Sequence, residues 1–273
     1  MNPTTFNDPV AQGFLQQGAG EISTAQSADD ILKKADALTR HDSRADLMQA
    51  ACYYLAAAHF LEKQDPARSV QAYHTAGQHL HWLQQFTQAG RAFSNAGRVA
   101  ELAAAMLAGS DQHRLQHLAV RAYSRSNNAF AEAGELDASE TEYLNERNAR
   151  LVWSKMQSKH PLALLTWKAT SNFGTSIPRW IAWIGAALAG FSLLYEVFFR
   201  LHWLEPMGNT IPSGWIPLWS GFYYAINVTS SLALVEYQPV HPICQAVVML
   251  NVIVGYLFLG IGIGIVGRMM RTH

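Results

Sequence analysis

The chain has no surplus of charge of either sign. Its 273 residues carry 20 lysines and arginines against 20 aspartates and glutamates, for a formal net charge of zero. That balance gives no reason to expect a nucleic-acid partner, because phosphate backbones recruit proteins through a basic excess. Only two cysteines are present, Cys52 and Cys244. They are too far apart in the chain's organisation to form a disulfide framework, and each reads as a small buried apolar residue. There is no glycine-rich phosphate cradle, no nucleophile elbow and no pair of acids in a cleft context, so neither an enzyme nor a bound cofactor is expected. Of the eleven histidines, His113 and His117 are four apart and His79 and His81 two apart. No cysteine or acidic cluster joins them in a ligand pattern, so they are expected to pack rather than to hold a metal. The N-terminus lacks an apolar signal segment, and Met1 is expected to begin the mature chain.

What the sequence does have is apolar length. Ile177 to Phe199 is a run of 23 residues, uncharged from Trp180 to Tyr195, and Ala246 to Val266 is a second run of 21 residues with no charged side chain. At about 1.5 Å per residue each covers a hydrocarbon core of roughly 30 Å, so both read as transmembrane helices. Between them Trp215 to Val228 is apolar but too short to cross. A short helix at membrane depth persists only where protein buries it or it lines a water-filled cavity, which predicts a re-entrant helix, with Pro217 in its first turn. Lys155, Lys159, Lys168 and Arg179 precede or open the first span and Arg268 and Arg271 follow the second, whereas Leu201 to Gln245 holds no lysine or arginine. The positive-inside rule then places both termini in the cytoplasm of a plasma (inner) membrane. Arg200 is the exception, and Glu196 four residues earlier is its expected ion-pair partner.

The residues after the short segment read Ser230, Ser231, Leu232, Ala233, Leu234, Val235, Glu236, with Pro239 three further on. Two spans flanking such a segment resemble the pore module of the potassium-channel superfamily, whose filter reads Thr-Thr-Val-Gly-Tyr-Gly-Asp. The resemblance covers roughly Ile177 to His273. It implies a homotetramer with Ser230 to Glu236 lining a shared ion pathway, Asn227 supporting that segment from behind, and Gly255 where the family's inner helix bends. Asn251 then faces either the cavity or an inter-helix hydrogen bond, and Leu259 and Ile263 lie near the inner constriction. Ala233 and Val235 stand where the family has glycines. A β-branched residue does not take the positive φ that turns filter carbonyls inward, so potassium selectivity is not expected. A ring of Glu236 favours cations. Arg271 is read as a topology anchor or an opposing ring.

From Ile22 to Lys155 the chain is rich in alanine, leucine, glutamine, glutamate and arginine. Leu47, Ala50, Ala51, Tyr54, Leu55 and Ala58 share one helical stripe. Ser27 with Asp30, and Asp65 before Pro66, are helix-start signals. The hexad Ala-aromatic-x-x-Ala-Gly occurs at Ala72–Gly77, Ala92–Gly97 and Ala129–Gly134. Small residues admitting an aromatic from the next helix resemble the packing of tetratricopeptide or SNAP-like arrays.

The expected architecture is all-α: residues 1–20 poorly ordered, a cytoplasmic α-solenoid of six or seven helices over 21–157, an interfacial linker helix over 158–176, and a two-span pore domain over 177–273. The linker either conveys motion to the pore or only anchors it. The expected function is a weakly cation-selective channel regulated through the array. Its partners are lipid, permeant ions, three further copies and a peptide or protein on the array. The alternatives are an oligomeric scaffold with a silent pore fold and an anion channel.

Overall fold

A computed structural model describes residues 27–40, 43–157, 161–207, 214–231 and 237–269, residues 268 and 269 by their backbone alone. The expected disordered segment 1–20 lies outside the described residues. Among the described residues the chain is all-α apart from one two-stranded ribbon, and it divides into two units, Met1–Leu162 and Ala163–His273.

The described residues of the first unit form six helices: α1 Ala28–Leu38, α2 Arg44–Leu61, α3 Pro66–Trp82, α4 Phe86–Met106, α5 Gly109–Glu132 and α6 Leu136–Met156. Each packs chiefly on its neighbours in sequence. Ser27 caps α1 by accepting from the Asp30 amide, and Asp65 caps α3 by accepting from the Arg68 amide, with Pro66 at the first helical position.

The core is built on absence of bulk. Ala57, Ala58, Ala76, Ala96, Ala100 and Ala119 are fully buried, and the glycines between them are sockets. A Cβ on Gly77 would sit 2.7 Å from the Phe93 ring, one on Gly97 2.7 Å from the Tyr123 ring, and one on Gly90 2.9 Å from Phe130. The first two hexads therefore work as expected, one helix's glycine admitting the next helix's aromatic. The third does not. Gly134 has no atom near its missing Cβ and takes φ +75°, ending α5 in a turn where the Glu135 amide donates to the Phe130 carbonyl at 2.9 Å. Buried polar side chains fasten the stack: Ser69 to the Ala58 carbonyl, Ser126 to that of Gly90, and Gln116 to that of Ala149.

The second unit begins with α7 Leu162–Ser171, which is shorter than the linker helix expected over 158–176. The cause is an elbow: Asn172, Phe173 and Gly174 all have positive φ. Fully buried Phe173 is held there by an edge contact with Trp167 and by its amide donating to the Trp167 carbonyl. Then come α8 Ile177–Arg200, strand β1 Leu204–Pro206, α9 Trp219–Ser230, strand β2 Tyr237–Pro239 and α10 Pro242–Met269. The strands pair antiparallel, Leu204 opposite Pro239 and Pro206 opposite Tyr237.

Both α8 and α10 are long and apolar enough to cross a membrane. A helix at the core of a soluble domain is mostly covered, but only 28% of the α8 window and 17% of the α10 window are buried.

Candidate functional site

The site is the short helix α9 and what holds it. It touches α8 and α10 more extensively than those two touch each other. Its approach is tied to the far end of α8 by Glu196, which is 8% exposed. One carboxylate oxygen accepts from the Trp215 indole at 2.6 Å and the Leu218 amide at 3.3 Å, and the other accepts twice from Arg200, at 2.9 and 3.2 Å. The ion pair within α8 is as expected, but that this carboxylate also holds the loop is legible only in the structure. That loop corrects the predicted helix start. Leu218, at φ +65°, is the N-cap, so Pro217 lies outside the helix and α9 begins at Trp219. The stretch from Trp215 is drawn into the turn that Glu196 fixes.

From there α9 runs inward. Gly221 lets it close on α8, since a Cβ there would stand 2.7 Å from the Ser192 carbonyl oxygen. At its other end it meets α10 at Asn251 and Gly255. Asn251 is fully buried and every polar atom of its amide is used: it donates to the Tyr195 hydroxyl at 3.1 Å and the Ala225 carbonyl at 3.3 Å, and accepts from the Thr229 hydroxyl at 2.7 Å. Of its two expected roles, the inter-helix bond is the one these contacts make. Gly255, where the resemblance implies a bend, makes a close contact. α10 runs unbroken through it, and a Cβ would collide with the Thr229 carbonyl oxygen. These contacts lie about halfway along the 28 residues of α10.

The chain then returns to the end it left. The Tyr224 hydroxyl donates to the Tyr237 carbonyl at 3.4 Å, the Val240 amide donates to the Trp203 carbonyl at 3.0 Å, and the Trp203 and His241 rings stack at 3.9 Å. Phe199, Trp215 and Tyr237 close the same end, the first two stacked at 4.3 Å. At the opposite end Trp180 fills the space beside Gly262 and donates to the Phe258 carbonyl.

The expected pathway residues fare unequally. Ser230 is the last helical residue, its hydroxyl bonded back to the Ile226 carbonyl at 2.7 Å, and Ser231 is a left-handed C-cap. Leu232, Ala233, Leu234, Val235, Glu236 and Arg271 lie outside the described residues. Asn227 is buried just before that stretch, and its side-chain nitrogen has no partner among the described residues. Leu259 and Ile263 are 58% and 65% exposed, on a face of α10 that the described residues leave uncovered. Among the described residues, nothing lies within 4 Å of a Cβ built on Gly260, Gly264 or Gly267. Glu196, Tyr195 and Thr229 are the residues sequence reasoning missed. An acid inside a membrane-length apolar run was the one available signal, and it was spent on Arg200.

Histidines in the first unit serve as rings: His79 stacks on Tyr54 and His117 tilts against Trp153. Among the described residues no group of three or more histidines, cysteines or acids could hold a metal ion. No protein-family model, no curated protein and no solved structure matches this chain.

Proposed function

We propose that the chain is the subunit of a homotetrameric ion channel of potassium-channel-like architecture, weakly selective for cations and regulated through its N-terminal helical array, working as a solenoid. One observation carries this reading. A 12-residue helix, too short to span, leaves and rejoins the same end of a pair of membrane-length helices and stops halfway along one of them. That is the contact pattern of a re-entrant pore helix. Its C-terminal carbonyl end points to mid-depth, where the partial negative charge of a helix terminus favours a cation. The side-chain nitrogen of Asn227, without a partner among the described residues, fits a role in bracing the pathway. The uncovered face of α10 that carries Leu259 and Ile263 suits a lumen shared by four copies.

The test is planar-bilayer recording of the purified protein in asymmetric potassium chloride. A conductance reversing toward the cation equilibrium potential is expected. Silence with the tetramer intact would favour a scaffold, and reversal at the chloride potential would make the pathway anionic.

A further inference from the structure

The corner between α4 and α5 carries apolar side chains that the fold does not use. From Leu102 to Ser110 the chain reads Leu-Ala-Ala-Ala-Met-Leu-Ala-Gly-Ser, without a charge. Ala103 and Ala104 pack inward with Leu115, but Leu102 is 53% exposed, Met106 84% and Leu107 45%. Of the five connectors between the six described helices, Leu107-Ala108 is the one without a polar side chain; the others hold Arg40 and Asp42, Glu62 and Asp65, Gln84 and Gln85, and Glu135. Capping does not ask for it either. Ser27, Ser43 and Asp65 accept from amides of the helices they start, whereas Ala108, at the same place before α5, has no side-chain acceptor to offer. A hydroxyl or carboxylate there would stabilise α5, so folding alone disfavours this corner's sequence. Its place in the array is fixed by contacts. Leu115 clusters with Ala103 and Ala104, the Gln116 amide donates to the Ala149 carbonyl of α6 at 3.0 Å, and the His117 ring lies 5.0 Å from that of Trp153. The corner and the last turns of α6 therefore share one end of the array, and it is from that end that the chain goes on to α7 and the membrane-length α8. Arg114, early in α5, and Lys155, in the last turn of α6, are exposed bases, against one exposed acid in the first turn of α5, Asp111.

We propose that this corner docks on a lipid bilayer, Leu102, Met106 and Leu107 entering the headgroup layer with Arg114 and Lys155 toward the phosphates. A convex corner whose outermost side chain is almost wholly exposed offers no cleft to a protein ligand, but it suits a solvent that yields around it. Apolar side chains flanked by bases are the mixture that the headgroup layer favours, and two membrane-length helices in the same chain bring a bilayer with them. The inference rests on α8 and α10 spanning that bilayer and not on conduction through it.

The test uses the full-length protein reconstituted in liposomes of phosphatidylcholine and phosphatidylserine. Both native cysteines are buried, so an environment-sensitive fluorophore can be directed to one introduced site at a time: Met106→Cys at the corner, Trp82→Cys before the opposite end of α4, and Leu193→Cys or Leu257→Cys on the exposed faces of α8 and α10. Blue-shifted emission and quenching by lipids that carry a nitroxide on the acyl chain are expected at the Met106 site and not at the Trp82 site. Adding Leu102→Glu and Leu107→Glu together should bring quenching at the Met106 site down to the Trp82 level. Both positions are exposed, and circular dichroism checks that the helices persist. Equal quenching at the Met106 and Trp82 sites, or quenching unaltered in the folded double variant, overturns the proposal. A Met106 label shielded from aqueous iodide yet untouched by the nitroxide lipids would put protein over the corner, a second copy or another chain, and overturns it as well. Quenching at the Leu193 or Leu257 site without quenching at the Met106 site sinks the docking corner alone. Quenching at neither helix site sinks the membrane reading, and the docking corner with it.

Discussion

The two units solve the same packing problem and reach opposite ends. In the array every glycine socket that needs filling is filled from within the chain: Gly77 by Phe93, Gly90 by Phe130, Gly97 by Tyr123. In the membrane-length pair some sockets are filled, Gly221 by the Ser192 backbone, Gly255 by Thr229 and Gly262 by Trp180, while Gly185, Gly190, Gly260 and Gly264 stand open. The array closes on itself. The second unit also leaves Met249, Tyr256, Leu257 and Ile263 more than half exposed on one helix. Apolar surface on that scale is what lipid or further copies of the chain would cover.

The largest break in that comparison is expected from Gly255→Leu. The obstacle to its side chain is the backbone of α9 and not a side chain that can swing aside, so overpacking here should meet or exceed the usual cost of roughly 1–3 kcal/mol. If the chain forms the channel proposed above, loss of its tetramer on native mass spectrometry and loss of conductance are expected, with hydrogen exchange of the array unchanged. Retained conductance would show that α9 need not seat on α10. Gly97→Leu is the matched experiment in the other unit. Its obstacle is the Tyr123 ring, which can shift, so about 1–3 kcal/mol of array stability is expected to go, with the oligomer intact.

Asn251→Leu sharpens the contrast between a structural and a conducting polar residue. Removing the amide strands the Thr229 and Tyr195 hydroxyls that it joins, at about 1–2 kcal/mol in a membrane setting. In the proposed channel, the tetramer should dissociate at lower temperature while the reversal potential stays put. A changed reversal potential with unchanged tetramer stability would return Asn251 to the ion pathway.

The fold was legible where it rests on periodicity and on local chemistry. Apolar length marks α8 and α10, and the Ser27 and Asp65 caps satisfy amides within three residues of themselves. The socket relation of Gly77 to Phe93 was legible too, because two copies of one hexad declared it. Legibility failed where a residue's partner comes from another element. Asn251, Gly255 and Glu196 each serve a contact 20 or more residues away in sequence, or close to it. Nothing in the local pattern distinguishes a glycine that bends a helix from one that receives a carbonyl. Gly134 shows the converse: its hexad matched, but the residues after it turn the chain, and the glycine went to the turn.

The smallest expected effect is one of pH, and it bears on the array alone. Burial holds the His74 and His79 imidazoles below their ordinary value of 6.5. The unfolded chain therefore takes up protons that the folded array refuses, and stability falls as pH drops through 6.5 toward about 4. Glu142 works in the other direction. Burial raises its carboxyl above 4.5 despite the 2.8 Å bond from Ser94, so the folded array keeps that proton longer, and this contribution is lost as pH rises through the raised value. Two depressed imidazoles outweigh one raised carboxyl over most of the interval, so faster hydrogen exchange in α3 to α5 is expected at about pH 5 than at about pH 7.5. Glu142→Gln removes the opposing group and should steepen the loss, whereas His74→Gln should flatten it. Exchange that slows on acidification would mean that the carboxyl dominates, and the array would then be tuned to acid by its one incompletely bonded buried acid.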